Sequence, residues 1–220
     1  MSNNKYLNGF FRFMSLVADL IIWNLLFIVC SLPIITIGAS YTALYTMVDK
    51  LMRKKDYNTL DFFKEFKLNF KKATIVWLIT LLFLVVFIIN YWLIYNLEFK
   101  YNWVILIGFI ILAVVFLITI SWSFPLLSQF ENSLKNTITN SFLFGIGRFP
   151  QSIIMVLTHI LPIYMFIAQI YWFYQLSFVL LAIWYSINCM ICFAMTDKAF
   201  KPYRPAVTDE LEDEYDNQNA

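Results

Sequence analysis

The sequence predicts an all-α protein embedded in a membrane. Of the 220 residues, 61% are hydrophobic and 14% are charged, whereas soluble domains average about 50% and 25%. Long stretches with at most one charged residue alternate with short basic segments, and each stretch is long enough for a membrane-crossing helix, which needs about 20 apolar residues. These observations predict one polytopic helical membrane domain over residues 1–200.

The apolar stretches divide into six predicted crossings. The first stretch, between Arg12 and Asp49, is too long for one crossing, and Pro33 breaks it into two helices. The last, between Arg148 and Asp197, would be about 72 Å long as one helix and must fold back. The predicted spans cover residues 13–32, 33–52, 73–97, 103–127, 151–171 and 175–196. Small and hydroxyl residues in the second span favour an interior position.

An alternative has five crossings. In it, residues 38–53 form an amphipathic helix that lies in the membrane interface. Because Lys and Arg concentrate in cytoplasmic loops, their distribution separates the two topologies. Six crossings put 15 of the 16 basic residues on one side, and five put 13 there. Six crossings with both termini in the cytoplasm are therefore the prediction.

A basic segment rich in phenylalanine lies between the second and third spans. In DFFKEFKLNFKKA, which begins at Asp61, aromatic residues recur at helical spacing with lysines between them. The pattern predicts a cytoplasmic amphipathic helix over residues 53–72. It either lies on anionic headgroups or docks a partner protein. The predicted docking residues are Phe63, Phe66, Lys67, Phe70 and Lys71.

Other partners and the C-terminal segment are predicted from charge. A nucleic-acid site is not expected, because the net charge is only +2 and the basic residues alternate with aromatic ones. The residues 201–220 include a run of Asp and Glu and are expected to form an acidic, disordered tail.

Three polar residues within the predicted spans are candidates for function: Asp19, Asn24 and His159. An ionisable residue inside a membrane is a functional hypothesis by default, and proton coupling between Asp19 and His159 is the specific form considered. The structural interpretation places Asp19 near the interface or beside a basic residue. In the same interpretation, His159 forms a hydrogen bond either with a backbone carbonyl that Pro162 leaves without an amide partner or with a residue of another helix.

The sequence has no pattern typical of an enzyme or a metal site. Cys189 and Cys192 have Cys-x-x-Cys spacing, but their apolar surroundings favour packing over redox chemistry. No phosphate-binding loop, nucleophile elbow or carboxylate pair occurs in the sequence. We expect a noncatalytic protein that needs no cofactor.

Two stretches carry a family resemblance. They are WNLLFIVCSLPIITIGASYTALYTMVDKL from Trp23 and DFFKEFKLNFKKATIVWLI from Asp61, and a weaker one is NSLKNTITNSFLFGIGRFPQS from Asn132. They resemble the YesL-like family of small bacterial membrane proteins, a family of unknown function. Such families are often encoded beside carbohydrate ABC importers and glycan-degrading enzymes. The resemblance implies a multi-pass protein of the bacterial plasma membrane with a role near sugar uptake.

Two functions follow. The first is a noncatalytic accessory subunit of a carbohydrate ABC importer, with the bilayer and the permease subunits as partners. The second is an autonomous transporter or channel whose polar path is lined by Asp19, Asn24, Asn90, Gln169, Asn188 and His159. The accessory role is the prediction, because the sequence offers few groups for ion relay or catalysis.

Overall fold

A computed structural model describes residues 2–96, 102–167 and 171–204 of the chain. The α-helices in these ranges are α1 (Ser2–Cys30), α2 (Ile37–Met52), α3 (Asp61–Asn96), α4 (Asn102–Gln129), α5 (Leu134–Gly147), α6 (Phe149–Ile167) and α7 (Tyr171–Phe200). Two short 3-10 turns, Ile34–Thr36 and Lys201–Tyr203, precede α2 and follow α7. The described ranges contain no strand, and the predicted all-α class is confirmed.

Within the described ranges, three helices are long and apolar enough to cross a membrane. The candidate spans are Phe13–Cys30 in α1, Asp61–Ile94 in α3 and Trp103–Gln129 in α4. The helices α5 and α6 meet at a bend of 107°, and together they add a fourth candidate if they form one broken span. The described residues therefore support a membrane protein with three or four candidate spans. The count of six and the side of the termini stay predictions.

The chain reverses between α1 and α2, where Pro33 predicts a break. α1 ends at Cys30, and α2 begins at Ile37 rather than at Pro33. The Thr36 hydroxyl lies 2.6 Å from the carbonyl oxygen of Cys30 and 2.7 Å from that of Pro33. It therefore offers a donor to the Cys30 carbonyl at the end of α1, where a helix leaves its last carbonyls without intrahelical partners, while the Pro33 carbonyl also accepts from the Thr36 amide at 2.9 Å.

α2 lies in the interior of the bundle. Every residue from Gly38 to Asp49 is buried. A helix in the membrane interface would leave a polar face exposed to water, so the interfacial alternative is wrong. With 16 residues, α2 is about 24 Å long, shorter than the roughly 30 Å of hydrocarbon that a crossing helix spans.

The start of α2 packs closely against the middle of α3. A Cβ atom added to Gly38 would clash with the backbone oxygen of Ala73, so only glycine fits there. Just before α2, the Ile34 carbonyl accepts a hydrogen bond of 2.7 Å from the Trp77 indole. The α1–α2 turn therefore lies beside Trp77.

The other end of α2 lies beside the start of α3. Lys50 Nζ is 3.2 Å from Asp61 Oδ2 and 3.4 Å from Glu65 Oε1. α2 is thus antiparallel to the first half of α3. The rest of α3, residues 78–96, extends about 28 Å past the α1–α2 turn, which is close to the thickness of the hydrocarbon layer.

The basic segment is not the separate helix predicted over residues 53–72. Residues 53–60 connect α2 to α3, and α3 continues from Asp61 to Asn96. The reason is that residues 61–96 contain no glycine or proline that would end the helix. The lysines and phenylalanines are therefore on the first turns of a membrane helix.

Substitution of Gly38 by alanine should destabilise the protein. The new methyl group would meet a backbone carbonyl, which cannot rotate away, and overpacking of this kind typically costs about 1–3 kcal/mol. The measurement is thermal unfolding of the purified protein in detergent. Gly108→Ala is the control, because nothing lies within 4 Å of its added Cβ atom. Equal unfolding temperatures for the two variants would contradict the close contact of α2 with α3.

Candidate functional site

Five side chains form a closed polar ring at one end of the bundle. They come from α2, α4, α7 and the segments that follow α2 and α7, and are Asp49, Arg53, Gln129, Asp197 and Arg204. We call this set the polar ring. It ties together parts of the chain that are far apart in sequence, since Arg53 and Asp197 are separated by 144 positions.

Each member of the polar ring bonds to its two neighbours. Arg53 donates from Nε to Asp49 Oδ1 (2.9 Å) and from Nη2 to Asp197 Oδ1 (2.8 Å). Arg204 Nη2 donates to the same Asp197 oxygen (2.8 Å) and to Gln129 Oε1 (3.1 Å). Gln129 Nε2 closes the ring by donating to Asp49 Oδ1 (3.0 Å).

Burial makes the polar ring important for stability. The side chains of Arg53 and Arg204 are only 4% and 8% exposed. A buried charge is costly unless it is paired, and here two guanidinium groups face two carboxylates. The Arg53 guanidinium also lies 5.1 Å from the centre of the Phe193 ring, a cation–π distance. The polar ring therefore acts as a clamp between helices.

The position of Arg204 shows that the residues from 201 to 204 are not part of a disordered tail. Residues Lys201–Tyr203 form a 3-10 turn, and Arg204 belongs to the polar ring. The tail prediction is thus wrong for residues 201–204, because the arginine gains two partners that a solvated tail would not provide. Residues 205–220 lie outside the described residues.

His159 belongs to a polar cluster between α2, α6 and α7. Its Nε2 lies 3.0 Å from the Tyr41 hydroxyl, which also lies 2.7 Å from Asn188 Oδ1. Its Nδ1 lies 2.6 Å from the carbonyl oxygen of Met155. His159 thus bonds across helices, as its structural interpretation expects. The carbonyl it meets is that of Met155, four residues earlier, rather than the one that Pro162 frees.

The cluster has too few protons to form all of its possible hydrogen bonds at the same time. Contact with a carbonyl requires a proton on His159 Nδ1, so in a neutral ring Nε2 is an acceptor. Tyr41 has one hydroxyl proton and can donate it fully either to His159 or to Asn188. In addition, the buried Asn188 Nδ2 has no hydrogen-bond acceptor.

Asp19 and Asn24 hold α1 in place. Asp19 Oδ2 accepts a hydrogen bond of 2.7 Å from the Tyr57 hydroxyl, in the connection before α3. The partner in this bond is thus a phenol rather than a basic residue, and the alternative position of Asp19 near the interface stays a prediction. Asn24 is fully buried, and its Oδ1 accepts a bond of 3.2 Å from the Ser186 amide of α7. These contacts tie α1 to its neighbours in the bundle.

The other residues of the proposed polar path lie apart. Asn90 Nδ2 donates to the Val86 carbonyl of its own helix at 2.8 Å. Gln169 lies outside the described residues. The structure thus brings His159 and Asn188 together and places Asp19 beside Tyr57 and Asn24 beside Ser186. Proton coupling between Asp19 and His159 stays a prediction.

The predicted docking residues lie on the outer face of α3, at its start. Phe63 and Phe70 are 46% and 39% exposed, Lys67 and Lys71 are exposed, and Phe66 is partly buried. We call these five residues the docking face. Periodicity gave too little weight to Phe62, which is fully buried and points to the interior.

The cysteines of α7 are in the packed interior. Cys189 and Cys192 are 0% and 1% exposed, and both belong to the main hydrophobic core. Among the residues that the structure describes, no group of three or more His, Cys, Asp or Glu side chains could hold a metal ion. Packing explains the position of the two thiols.

Substitution of Arg53 by methionine should lower the free energy of unfolding of the protein. Asp49 and Asp197 would lose a buried cationic partner, and breaking such a pair costs about 3–5 kcal/mol. Lys50→Met is the matched control, because the Lys50 side chain is more exposed at 22% and such pairs contribute roughly 1 kcal/mol or less. Chemical denaturation in detergent measures both. Equal losses would contradict the clamp.

The bond between Tyr57 and Asp19 should respond to alkaline pH. Partial burial, together with the Asp19 carboxylate, raises the pKa of Tyr57 to about 12 from its ordinary value near 10. The bond should therefore stabilise the fold fully below pH 10 and be lost as the pH rises through 12. Tyr57→Phe should lower the unfolding temperature at pH 8, and this difference should shrink above pH 10. Tyr91→Phe, at an exposed tyrosine, should change little at either pH.

Comparison with known proteins gives one match. No curated protein and no solved structure matches the chain. A family model described as "Protein of unknown function, DUF624" matches residues 20–91, about a third of the chain. This segment includes α2, the α1–α2 turn and most of α3. Over residues 20–91 the chain is thus similar to the DUF624 domain that the YesL-like family contains, and the predicted resemblance is confirmed there.

Proposed function

We propose that this protein is a noncatalytic integral membrane accessory subunit that binds the permease subunits of a carbohydrate ABC importer in the bacterial plasma membrane. The choice of a carbohydrate importer as the partner rests on the family resemblance, which implies a role near sugar uptake. The observation that carries the accessory role is the docking face, in which exposed phenylalanines and lysines lie side by side on α3. Aromatic side chains are enriched where proteins bind one another.

The docking face is held rigidly. Its helix is anchored on the opposite side by the buried Phe62 and Asn69, and at its start by the contact of Asp61 with Lys50. Residues 61–72 form about 18 Å of helix before the uncharged part of α3 begins. A rigid face loses little conformational entropy on binding a partner.

Continuity of α3 favours a protein partner over the bilayer surface. An amphipathic helix on headgroups lies parallel to the membrane plane. Residues 61–72 instead are the first part of the candidate span Asp61–Ile94, and a sharp change of direction within this helix would need a break such as proline. The docking face therefore points sideways, towards a partner that is also at the membrane surface.

The proposed topology puts the docking face in the cytoplasm. The sequence predicts six crossings, whereas the short α2 and the position of the α1–α2 turn beside Trp77 favour a hairpin that enters the membrane and returns. Both arrangements bring the chain back to its starting side. Both therefore keep the N-terminus and the basic connection in the cytoplasm, in agreement with the distribution of Lys and Arg.

An autonomous transporter or channel is the second candidate. The observation that favours it is the cluster of Tyr41, His159 and Asn188, in which one proton is shared among competing acceptors. Against it, Asp19 and Asn24 bond at other places in the bundle. Flux of a sugar or of protons in reconstituted vesicles, reduced by His159→Gln, would establish this candidate and contradict the accessory role.

Charge reversal of the docking face should release the partner. Wild-type protein, purified from native membranes in mild detergent, should carry importer permease subunits that mass spectrometry identifies. Lys67→Glu with Lys71→Glu should reduce their recovery at least tenfold, because the partner would meet two reversed charges. Phe63→Ala with Phe70→Ala should act similarly by removing exposed aromatic area.

The control for this experiment is Lys135→Glu, which reverses an exposed charge on α5, away from the docking face. It should leave recovery unchanged. Equal recovery with all variants would contradict the docking face, and recovery of partners without any permease subunit would contradict the importer.

A further inference from the structure

A second surface feature is a groove beside α5. It has a volume of about 590 Å³ and lies between α5, the end of α4 and the residues that follow α7. Its wall includes Leu126, Asn140, Leu143, Phe144, Arg148 and Tyr203. We call it the α5 groove. It is separate from the docking face, which is on α3.

The cation of the α5 groove is Arg148, which has no anionic partner among the residues that the structure describes. Arg148 lies at the bend between α5 and α6 and is partly buried. Among the described residues, no carboxylate pairs with its guanidinium. The contrast with Arg53 and Arg204 is clear, because both are paired within the polar ring. A partly buried guanidinium gains most from an anion that accepts two hydrogen bonds.

The rest of the α5 groove combines amide and apolar side chains. Asn132 and Asn140 supply donors and acceptors, while Leu126, Leu143 and Phe144 supply an apolar wall. Leu143 is 61% exposed. A ligand that satisfies all three kinds of group has an anionic head and a hydrocarbon part.

The height of Arg148 matches that of lipid headgroups. Gly145, one turn earlier on α5, packs on α4, where an added Cβ would lie 2.5 Å from Ile118 Cγ2. From Trp103 to Leu117, α4 exposes mostly large apolar side chains, which suit contact with acyl chains. Arg148 is therefore near the level at which this apolar surface ends, and phosphate groups lie at the edge of the hydrocarbon.

We propose that the α5 groove binds an anionic phospholipid, with its phosphodiester at Arg148 and an acyl chain along Leu126, Leu143 and Phe144. Basic pockets between membrane helices on the cytoplasmic side are suited to such headgroups. The site does not depend on the importer role, because it involves other residues.

Binding of phosphatidylglycerol to the purified full-length protein tests this site. Native mass spectrometry or a titration in detergent should show tighter binding of phosphatidylglycerol than of zwitterionic phosphatidylcholine. Arg148→Gln should weaken phosphatidylglycerol binding about tenfold or more, since a bidentate charged contact is lost. Arg148→Lys should restore part of it. Lys135→Gln, which removes an exposed charge from the same helix, should leave the affinity unchanged.

Three results would overturn the proposal. The first is equal affinity of wild type and Arg148→Gln, with unchanged unfolding temperature of the variant. The second is displacement of the lipid by inorganic phosphate at similar concentration, which would identify a small phosphate ligand. The third is binding that occurs only in a chain ending at Arg204. That result would identify the acidic segment 209–216 as the occupant of the α5 groove.

Discussion

Enclosure of α2 is the constraint on which the rest of the structure depends. A helix that is buried on all sides must satisfy its polar side chains internally. Its hydroxyl residues Ser40, Thr42 and Thr46 each donate to a carbonyl four residues earlier. Its other buried polar residues, Tyr41, Tyr45 and Asp49, bond to side chains of α4 and α7. The serine and threonine residues therefore allow neighbouring helices to pack closely without leaving their own hydroxyl groups unpaired. Gly38 contributes to the same close packing, because it has no side chain and lies against the backbone of Ala73.

The two ends of α2 determine the arrangement of the neighbouring helices. At its start, the turn beside Trp77 fixes the height of α1 relative to α3. At its end, the polar ring joins α2 to α4 and α7 through Asp49 and Arg53. Between them, the Tyr45 hydroxyl lies 2.6 Å from the Thr196 hydroxyl of α7. A rigid platform results, and the exposed start of α3 is part of it.

Local signals in the sequence predicted part of this fold. Hydropathy identified α1, α3 and α4 as membrane helices, and Pro33 marked the reversal before α2, because these properties depend on neighbouring residues. The sequence did not show that α2 begins at Ile37 rather than at Pro33 and has only 16 residues, since the segment before it packs against Trp77 of α3.

The candidate sites were harder to predict, because their members come from distant parts of the chain. The sequence patterns place Arg53 in the basic segment 53–72 and Arg204 in the acidic tail, and Asp197 marks only the end of an apolar stretch. Only the fold shows that they meet. The docking face was predictable from its periodicity, although that pattern could not tell that Phe62 faces inward. Arg148 gave no signal beyond a single basic residue before a span.

Labelling of the α1–α2 turn tests the proposed topology, in which α2 runs antiparallel to the first half of α3 and the α1–α2 hairpin returns without crossing the membrane. In a background with the native cysteines replaced, Ile35→Cys and Asn96→Cys both place thiols at exposed positions. A membrane-impermeant thiol reagent is then added outside intact cells. The account predicts labelling at Asn96→Cys, at the far end of α3, and none at Ile35→Cys. Equally fast labelling of Ile35→Cys would show that α1 and α2 cross the membrane and would contradict it.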